Sequence, residues 1–578
     1  MYLELTNSEL KRELNQEIII VNSKNDEFEQ YGTVGELIAK FLTACELRAA
    51  FGVISIHNMP ILDAFAKYGE INFVPSRGEA GGVNMADSYA RVSGNLGVAV
   101  TSTGTAAGNG AGALVEALTA GTPLLHITGQ IESEHIDRDR AYIHEAPFQL
   151  KMLQAVSKAA FRIWSPESAL GILREAVQCA LTPPRGPVSI EIPIDVQKAQ
   201  VKFPTDISPL PIVEAPLPND QVEQLVAQFK NVKRPMLWLG GGSRHAFKAA
   251  ERLANMGVGI VTSTNGRAVV SEDHPMSIGA FNATPFSEEL YKSIDLMVVV
   301  GSRLRSNETW NYQLGLPKNL IVVDLDAKAD GKTYKNNGFI YADSKKLLES
   351  LADRLEGQLN IDPTLAKSIE QTRQKSEAEL RKGLGPYSDL VTQLQELYTN
   401  EMPWVRDVTL SNSMWGNRLL KIADPLNGVH ALGGGIGQGL PMGIGAAVAA
   451  GGRKVITLTG DGGLNLCIGE IATAAQEKVN MTLLIMNDSG YGVIRNIQDA
   501  DYGCRQHYSS IQIPDYGLIS ESVGIPFFRV SSIADFKEIM KQALEINGPA
   551  VVEVDMVKIG PFSASFAGPP KRIKADEE

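Results

Sequence analysis

At 578 residues the chain is longer than one hydrophobic core supports, which predicts three or four domains. Its formal net charge of -12 excludes a broadly basic surface for nucleic acid. The balance of 44% hydrophobic and 21% charged residues is that of a globular protein rather than a membrane-embedded or disordered one, and 54 glycines exceed the usual share of about 7%. Cys45, Cys179, Cys467 and Cys504 lie far apart and form no CxxC, so neither a disulfide framework nor a zinc site is expected. Reduced thiols in a cytoplasmic protein are the expectation.

Residues 1–29 carry acids and bases throughout, lack the apolar core of a signal peptide and read as a solvated arm. From 30 to 200, β-branched runs at 98–102, 124–128 and 188–192 alternate with helical patterns. The proline-rich segment 201–219 cannot continue a helix or a central strand and reads as a linker. A central domain is expected over 220–356, with strands at 236–239, 296–300 and 321–324, and a polar, helical second linker over 357–385. A third domain over 386–558 has strands at 455–459, 482–486 and 551–554. Continuous apolar strands separated by helices predict an α/β protein of three doubly wound parallel-sheet domains. Residues 431–452 are uncharged, but their glycines, Gln438 and Pro441 favour a buried loop leading into a helix over a membrane span. The tail 559–578 contains PFSASFAGPPK, readable as a segment that closes over a site or as a disordered end.

The strongest chemical signal is Gly460-Asp461-Gly462-Gly463 directly after the strand VITLT. A helix, the strand TLLIM and Asn487-Asp488-Ser489-Gly490-Tyr491-Gly492 follow. Asp461 and Asp488 are 27 positions apart, one strand–helix–strand unit, so both carboxylates are expected at the carboxyl edge of neighbouring strands. A hard cation bridging a diphosphate needs such oxygen ligands, and the glycines let backbone approach it.

This arrangement resembles the cofactor fingerprint of thiamine-diphosphate enzymes, in the branch of acetolactate synthases and benzoylformate decarboxylases. The resemblance implies three domains (pyrimidine-binding, central and diphosphate-binding), with magnesium held by Asp461, the Asp488 side chain and the Gly490 carbonyl. The family usually has Asn where Asp488 stands, so this chain adds a negative charge. Arg77-Gly78-Glu79-Ala80-Gly81-Gly82, continuing into MADSYAR, resembles the family segment whose Glu bonds the aminopyrimidine ring and promotes proton loss from the thiazolium. Glu79 takes that role by resemblance; in isolation it reads as a helix N-terminal acid.

The stretch 98–130 resembles the family's strand–Gly-Pro-Gly–helix–strand segment ending in Gly-Gln, with Thr105 and Ala106 in place of Pro-Gly and Gln130 as an active-site amide. In ALGGGIGQGLPMGIGAA, Ile436 matches the residue that wedges the cofactor into a bent shape; a core isoleucine is the competing reading. His57 lies in FGVISIHNMP, where relatives carry a loop beside the reacting carbon, and reads as an acid or base or as a capping or core histidine. The adjacent histidine pair of pyruvate decarboxylases is absent. Arg495 reads as a partner for a substrate carboxylate or as a surface arginine.

By the same resemblance the two cofactor halves belong to different subunits. Glu79 of one chain then faces Asp461 and Asp488 of another, in a homodimer at minimum and a homotetramer by family habit. The loop Gly240-Gly241-Gly242-Ser243 is of a type that cradles a nucleotide phosphate. GSRLRSNETWNYQLG, however, stands where flavin-binding acetolactate synthases carry an Asp-rich run, so no FAD is expected.

The expected activity is decarboxylation or carboligation of a small 2-oxo acid, acetolactate-synthase-like. Ile497 stands where those synthases place a tryptophan, which keeps a benzoylformate-type decarboxylase and a 2-hydroxyacyl lyase open. Of the other classes, a non-catalytic regulatory paralogue is opposed by the presence of Glu79. A nucleotide-binding dehydrogenase is opposed by the lack of a GxGxxG followed by an acid in a strand–helix setting.

Overall fold

The computed structural model describes residues 31–568; the arm expected over 1–29 and residues 569–578 of the tail lie outside them. Three parallel sheets follow one another along the chain. The first has strand order Asn72–Pro75, Ala49–Gly52, Gly97–Thr101, Leu124–Gln130, Pro187–Pro193, Ala159–Arg162. The second runs Gly259–Thr262, Pro235–Leu239, Leu296–Val300, Leu320–Asp324, Gly338–Tyr341. The third runs Gly428–His430, Trp404–Arg406, Val455–Gly460, Met481–Asn487, Ala550–Asp555, Phe527–Val530. Every pairing within these sheets is parallel; a short antiparallel pair, Tyr31–Thr33 with Gln200–Lys202, ties the two ends of the first unit together.

The central strands are apolar along their whole length because helices cover both faces: Leu296–Val300 is buried at every residue. Between the first two sheets, residues 204–218 form no regular element, as prolines withhold the donors a strand or helix needs. After the second sheet, the polar stretch contains the helix Leu365–Leu384, which buries only Leu365, Ile369, Thr372, Ser376 and Leu384. Helix Gly439–Ala449 fills the second half of the uncharged 431–452 stretch, after a loop over 431–438. Among the described residues no helix is long and apolar enough to cross a membrane.

The first and third units share a core. Helix Glu79–Ser93 packs on helix Gly439–Ala449 so closely that a Cβ on Gly445 would lie 2.0 Å from the Met85 carbonyl oxygen. One apolar cluster accordingly joins Phe51, Val83 and Met85 to Leu440, Met442 and Ile444. The central unit has its own.

Candidate active site

At the carboxyl end of Val455–Gly460 the chain turns straight into the helical turn Asp461–Leu464, leaving Asp461 1% exposed. The adjacent strand Met481–Asn487, in register so that Gly460 pairs with Met486, delivers the next turn to the same point. Asp461 Oδ1 accepts from the Asp488 amide at 3.3 Å and Oδ2 from the Gly490 amide at 2.6 Å. Glycine is required here: a Cβ on Gly462 would meet the Tyr491 ring at 2.6 Å, and one on Gly492 would lie 1.9 Å from Asp488 Oδ2. Gly490 holds φ +145° against the Ser509 carbonyl. Burial, reinforced by the neighbouring Asp488, pushes the Asp461 carboxyl up to about 7. Burial also raises Asp488, against the pull of Arg495, whose Nη2 lies 3.0 Å from Asp488 Oδ2. Arg495 thus neutralises the negative charge that Asp488 brings to the turn.

On the first sheet, the carboxyl-edge loops gather the remaining candidates. Glu79 opens helix Glu79–Ser93, half-buried, and its Oε2 accepts from Asn109 Nδ2 at 3.1 Å. The turn before it is pinned to the third unit, since both Glu470 carboxylate oxygens accept from the Arg77 amide at 3.0 and 3.2 Å. Gln130, 3% exposed, is engaged in a buried network. Its Oε1 accepts from Thr103 Oγ1 and the Ile131 amide, both at 2.9 Å, and its Nε2 faces Glu191 Oε2 at 3.4 Å. His57 is 7% exposed and backs onto Gly129, where a Cβ would meet the His57 carbonyl at 2.2 Å.

The His57 ring meets the His144 ring edge to face, centroids 5.1 Å apart, and burial followed by His144 lowers its pKa. Sequence reasoning missed His144, because a pair drawn from two loops leaves no local motif.

Three family models cover this chain in order: the N-terminal TPP binding domain of thiamine pyrophosphate enzymes over residues 32–153, the central domain over 222–351 and the C-terminal TPP binding domain over 411–554. The chain belongs to the thiamine pyrophosphate enzyme family. It is 26% identical over 572 residues to a probable acetolactate synthase large subunit of Methanococcus aeolicus, covering 93% of each chain. It is also 26% identical over 533 residues to a probable 2-ketoarginine decarboxylase of Pseudomonas aeruginosa, covering 90% of this chain and 94% of that one. A third relative, acetolactate synthase 2, chloroplastic, of Nicotiana tabacum, is 27% identical over 526 residues, 86% of this chain and 78% of that one.

The residues around the Asp461 turn fit the diphosphate of thiamine pyrophosphate. Arg495 answers the charge of Asp488, whereas the Asp461 carboxylate beside it meets only backbone amides in this buried turn, a negative centre that a divalent cation would relieve. Buried hydroxyls without partners, Ser411 Oγ and Ser509 Oγ, lie on segments that touch the cradle through Thr409 against Gly460 and Ser509 against Gly490. Such orphaned donors suit an anion.

Ile436 stands in the glycine loop 433–437 with 39% of its surface exposed, outside the core. Buried Asp407, which nothing in the local sequence marks, accepts from the amides of Gly437 at 3.1 Å and Gln438 at 3.4 Å and from Thr459 Oγ1 at 3.2 Å. It thereby fixes the loop to the strand that ends in Gly460.

The fold of this chain leaves room elsewhere too. A cleft of about 900 Å³ lies where the three units meet, lined by Arg91, Gly241, Gly242, Arg244 and Arg305 among others. No residue of the Asp461–Gly492 cradle lines it. The loops after Pro235–Leu239 and Leu296–Val300, which supply Gly241, Gly242 and Gly301 to its lining, pack so closely that a Cβ on Gly240 would meet the Gly301 carbonyl at 2.1 Å.

Proposed function

We propose that this chain carries out thiamine-diphosphate-dependent decarboxylation or carboligation of a small 2-oxo acid, in the manner of an acetolactate synthase. The observation that carries the reading is the Asp461 carboxylate, which bridges the amides of Asp488 and Gly490 across two neighbouring strand ends with a second carboxylate beside it. Asp461, Asp488 and the Gly490 carbonyl would hold Mg²⁺; Gly460, Gly462, Gly463, Tyr491 and Gly492 would shape the diphosphate cradle; Ile436 would stand as the wedge against the cofactor. When bound, thiamine diphosphate supplies a nucleophilic carbon and an electron sink for a 2-oxo carbonyl. Glu79 holds and returns a proton at the aminopyrimidine. His57, with Gln130 behind it, orients the substrate at the same sheet edge.

The site is shared between subunits. Within one chain Glu79 bonds Asn109, while apolar side chains around the cradle and its loops stand open: Ile436, Leu466 at 61% and Ile494 at 46% exposure. The edge bearing His57 also exposes Ile54, Ile56, Ile143 and Phe148. Apolar side chains exposed along both edges are what an interface between subunits would cover, which supports a homodimer at minimum; a homotetramer follows only from the family resemblance. Four unpaired thiols suit the cytoplasm.

A decarboxylase without ligation is the second reading, favoured by the equal likeness to the probable 2-ketoarginine decarboxylase and by Ile497. A panel of 2-oxo acids scored by mass spectrometry for aldehyde, 2-hydroxy ketone and acetolactate-type products separates the two. No product from any member would refute both. Mixing Glu79→Gln with Asp461→Ala protein, each inactive alone, is expected to restore turnover through hybrid dimers; failure to complement would refute the shared site.

A further inference from the structure

The loop 433–437 is four glycines around Ile436, and such a backbone has little stiffness of its own. Bending a ligand against it requires that both ends be fixed. Asp407 fixes the far end. The near end is held from another domain. Glu116, 1% exposed on helix Thr105–Ala120 of the first unit, accepts through Oε1 from the Leu432 amide at 2.7 Å and through Oε2 from the Gly433 amide. Gly433 is needed for this approach, since a Cβ there would lie 2.7 Å from Glu116 Oε2.

Glu116 is in turn set by Arg91, whose Nη2 lies 2.9 Å from Glu116 Oε1 and contacts Asp87 Oδ2 at 2.5 Å, while Nη1 donates to the His430 carbonyl at 2.7 Å. The central unit adds the last hold: Arg305 donates to the Leu432 carbonyl. Both backbone polar groups of Leu432 are therefore gripped, one from each of the other two domains.

We propose that Glu116, with Arg91 behind it and Arg305 opposite, is a positioning residue that sets the height of Ile436 over the cofactor from within the same chain. This rests on the reading of Ile436 as the wedge. A subunit thus contributes its first domain twice, Glu79 to its partner's site and Glu116 to its own. Gln at 116 keeps the shape but has one acceptor oxygen for two amides and turns an NH₂ toward a donor.

Amide exchange by mass spectrometry on the cofactor-free full chain reads the clamp directly. Glu116→Gln and Gly433→Ala are each expected to speed exchange of the peptide spanning 430–438 by at least about tenfold, leaving the peptide spanning 455–465 unchanged. In the loaded protein the hydrogen on the reactive carbon is expected to exchange on the order of tenfold to a hundredfold more slowly, with diphosphate affinity within about threefold of wild type. Wild-type exchange at both places in a folded Glu116→Gln or Gly433→Ala protein would overturn the proposal. Should Glu116→Gln not fold, Gly433→Ala and Arg305→Lys carry the same test. Ile436→Ala keeps the two readings apart. If it leaves exchange at the reactive carbon unaffected, the wedge reading fails; if it slows that exchange while Glu116→Gln does not, only the positioning role fails.

Discussion

Arg495 reaches back over its own helix start to Asp488, with Nη2 3.0 Å from Oδ2 and 2.6 Å from the Asp488 carbonyl. The pair explains how a turn already holding Asp461 tolerates a second carboxylate. A double-mutant cycle of Asp488→Asn and Arg495→Gln on the cofactor-free protein should give a favourable coupling of about 0.5–3 kcal/mol by denaturant unfolding. In the Asp488→Asn background, Arg495→Gln should cost little. Strict additivity would mean that the two charges do not interact.

Asp461 links cation binding to pH. Its carboxyl titrates near 7 in the folded chain against an ordinary value of 3.8, so between those limits the folded state binds the extra proton. The group's contribution to stability therefore falls as pH rises through that window and is flat above it. A divalent cation needs the ionised form, so Mg²⁺ affinity should climb with pH, by up to about tenfold per unit below 7, and level off above. Calorimetry at pH 6 in buffers of different ionisation enthalpy should show proton release that disappears at pH 8.5. Equal release at both would refute the linkage.

Gly492→Ala should displace the Asp488 carboxylate, because the new methyl carbon would stand 1.9 Å from Oδ2. Loss of at least about tenfold in Mg²⁺-dependent cofactor affinity is expected, by analogy with disturbed metal surroundings. Gly171→Ala is the control: it sits in helix Ala169–Leu181 with no atom within 4 Å of the added carbon, and should stabilise by roughly 0.5–1 kcal/mol. Similar cofactor titrations for the two variants would count against a crowded cradle.

Arg162→Met should destabilise by about 3–5 kcal/mol, because Glu191, fully buried beneath Gln130 and Gln149, loses the guanidinium that answers its charge. Pairing it with Glu191→Gln should recover most of the loss. A melting temperature unmoved by Arg162→Met would show that Glu191 is already protonated.

What the sequence reveals follows from where each constraint lives. Asp461 and Asp488 are legible because strand, glycine and acid are contiguous, and backbone geometry dictates the spelling. The buried central strands, such as Leu296–Val300, announce themselves as apolar runs. Trp404–Arg406 does not, since a fully buried arginine interrupts its run, and Asp407 after it has no neighbouring cue. Glu116 and His144 are hidden for another reason: each is defined by a partner from a different loop or domain. Glu116 lies in an Ala- and Gly-rich helix where an acid reads as solvated. Arg495 was legible as a cation near the site, but its partner is the protein's own Asp488.

The close crossing of helix Glu79–Ser93 with helix Gly439–Ala449 has a consequence during synthesis. The first helix emerges from the ribosome roughly 350 residues before the second, which at ~5–20 residues/s is roughly 20–70 s. For that interval Val83 and Met85 lack the surface that covers them in the finished chain. The nascent first domain is thus a natural client for a chaperone, and slow translation of the central domain would prolong its exposure to aggregation.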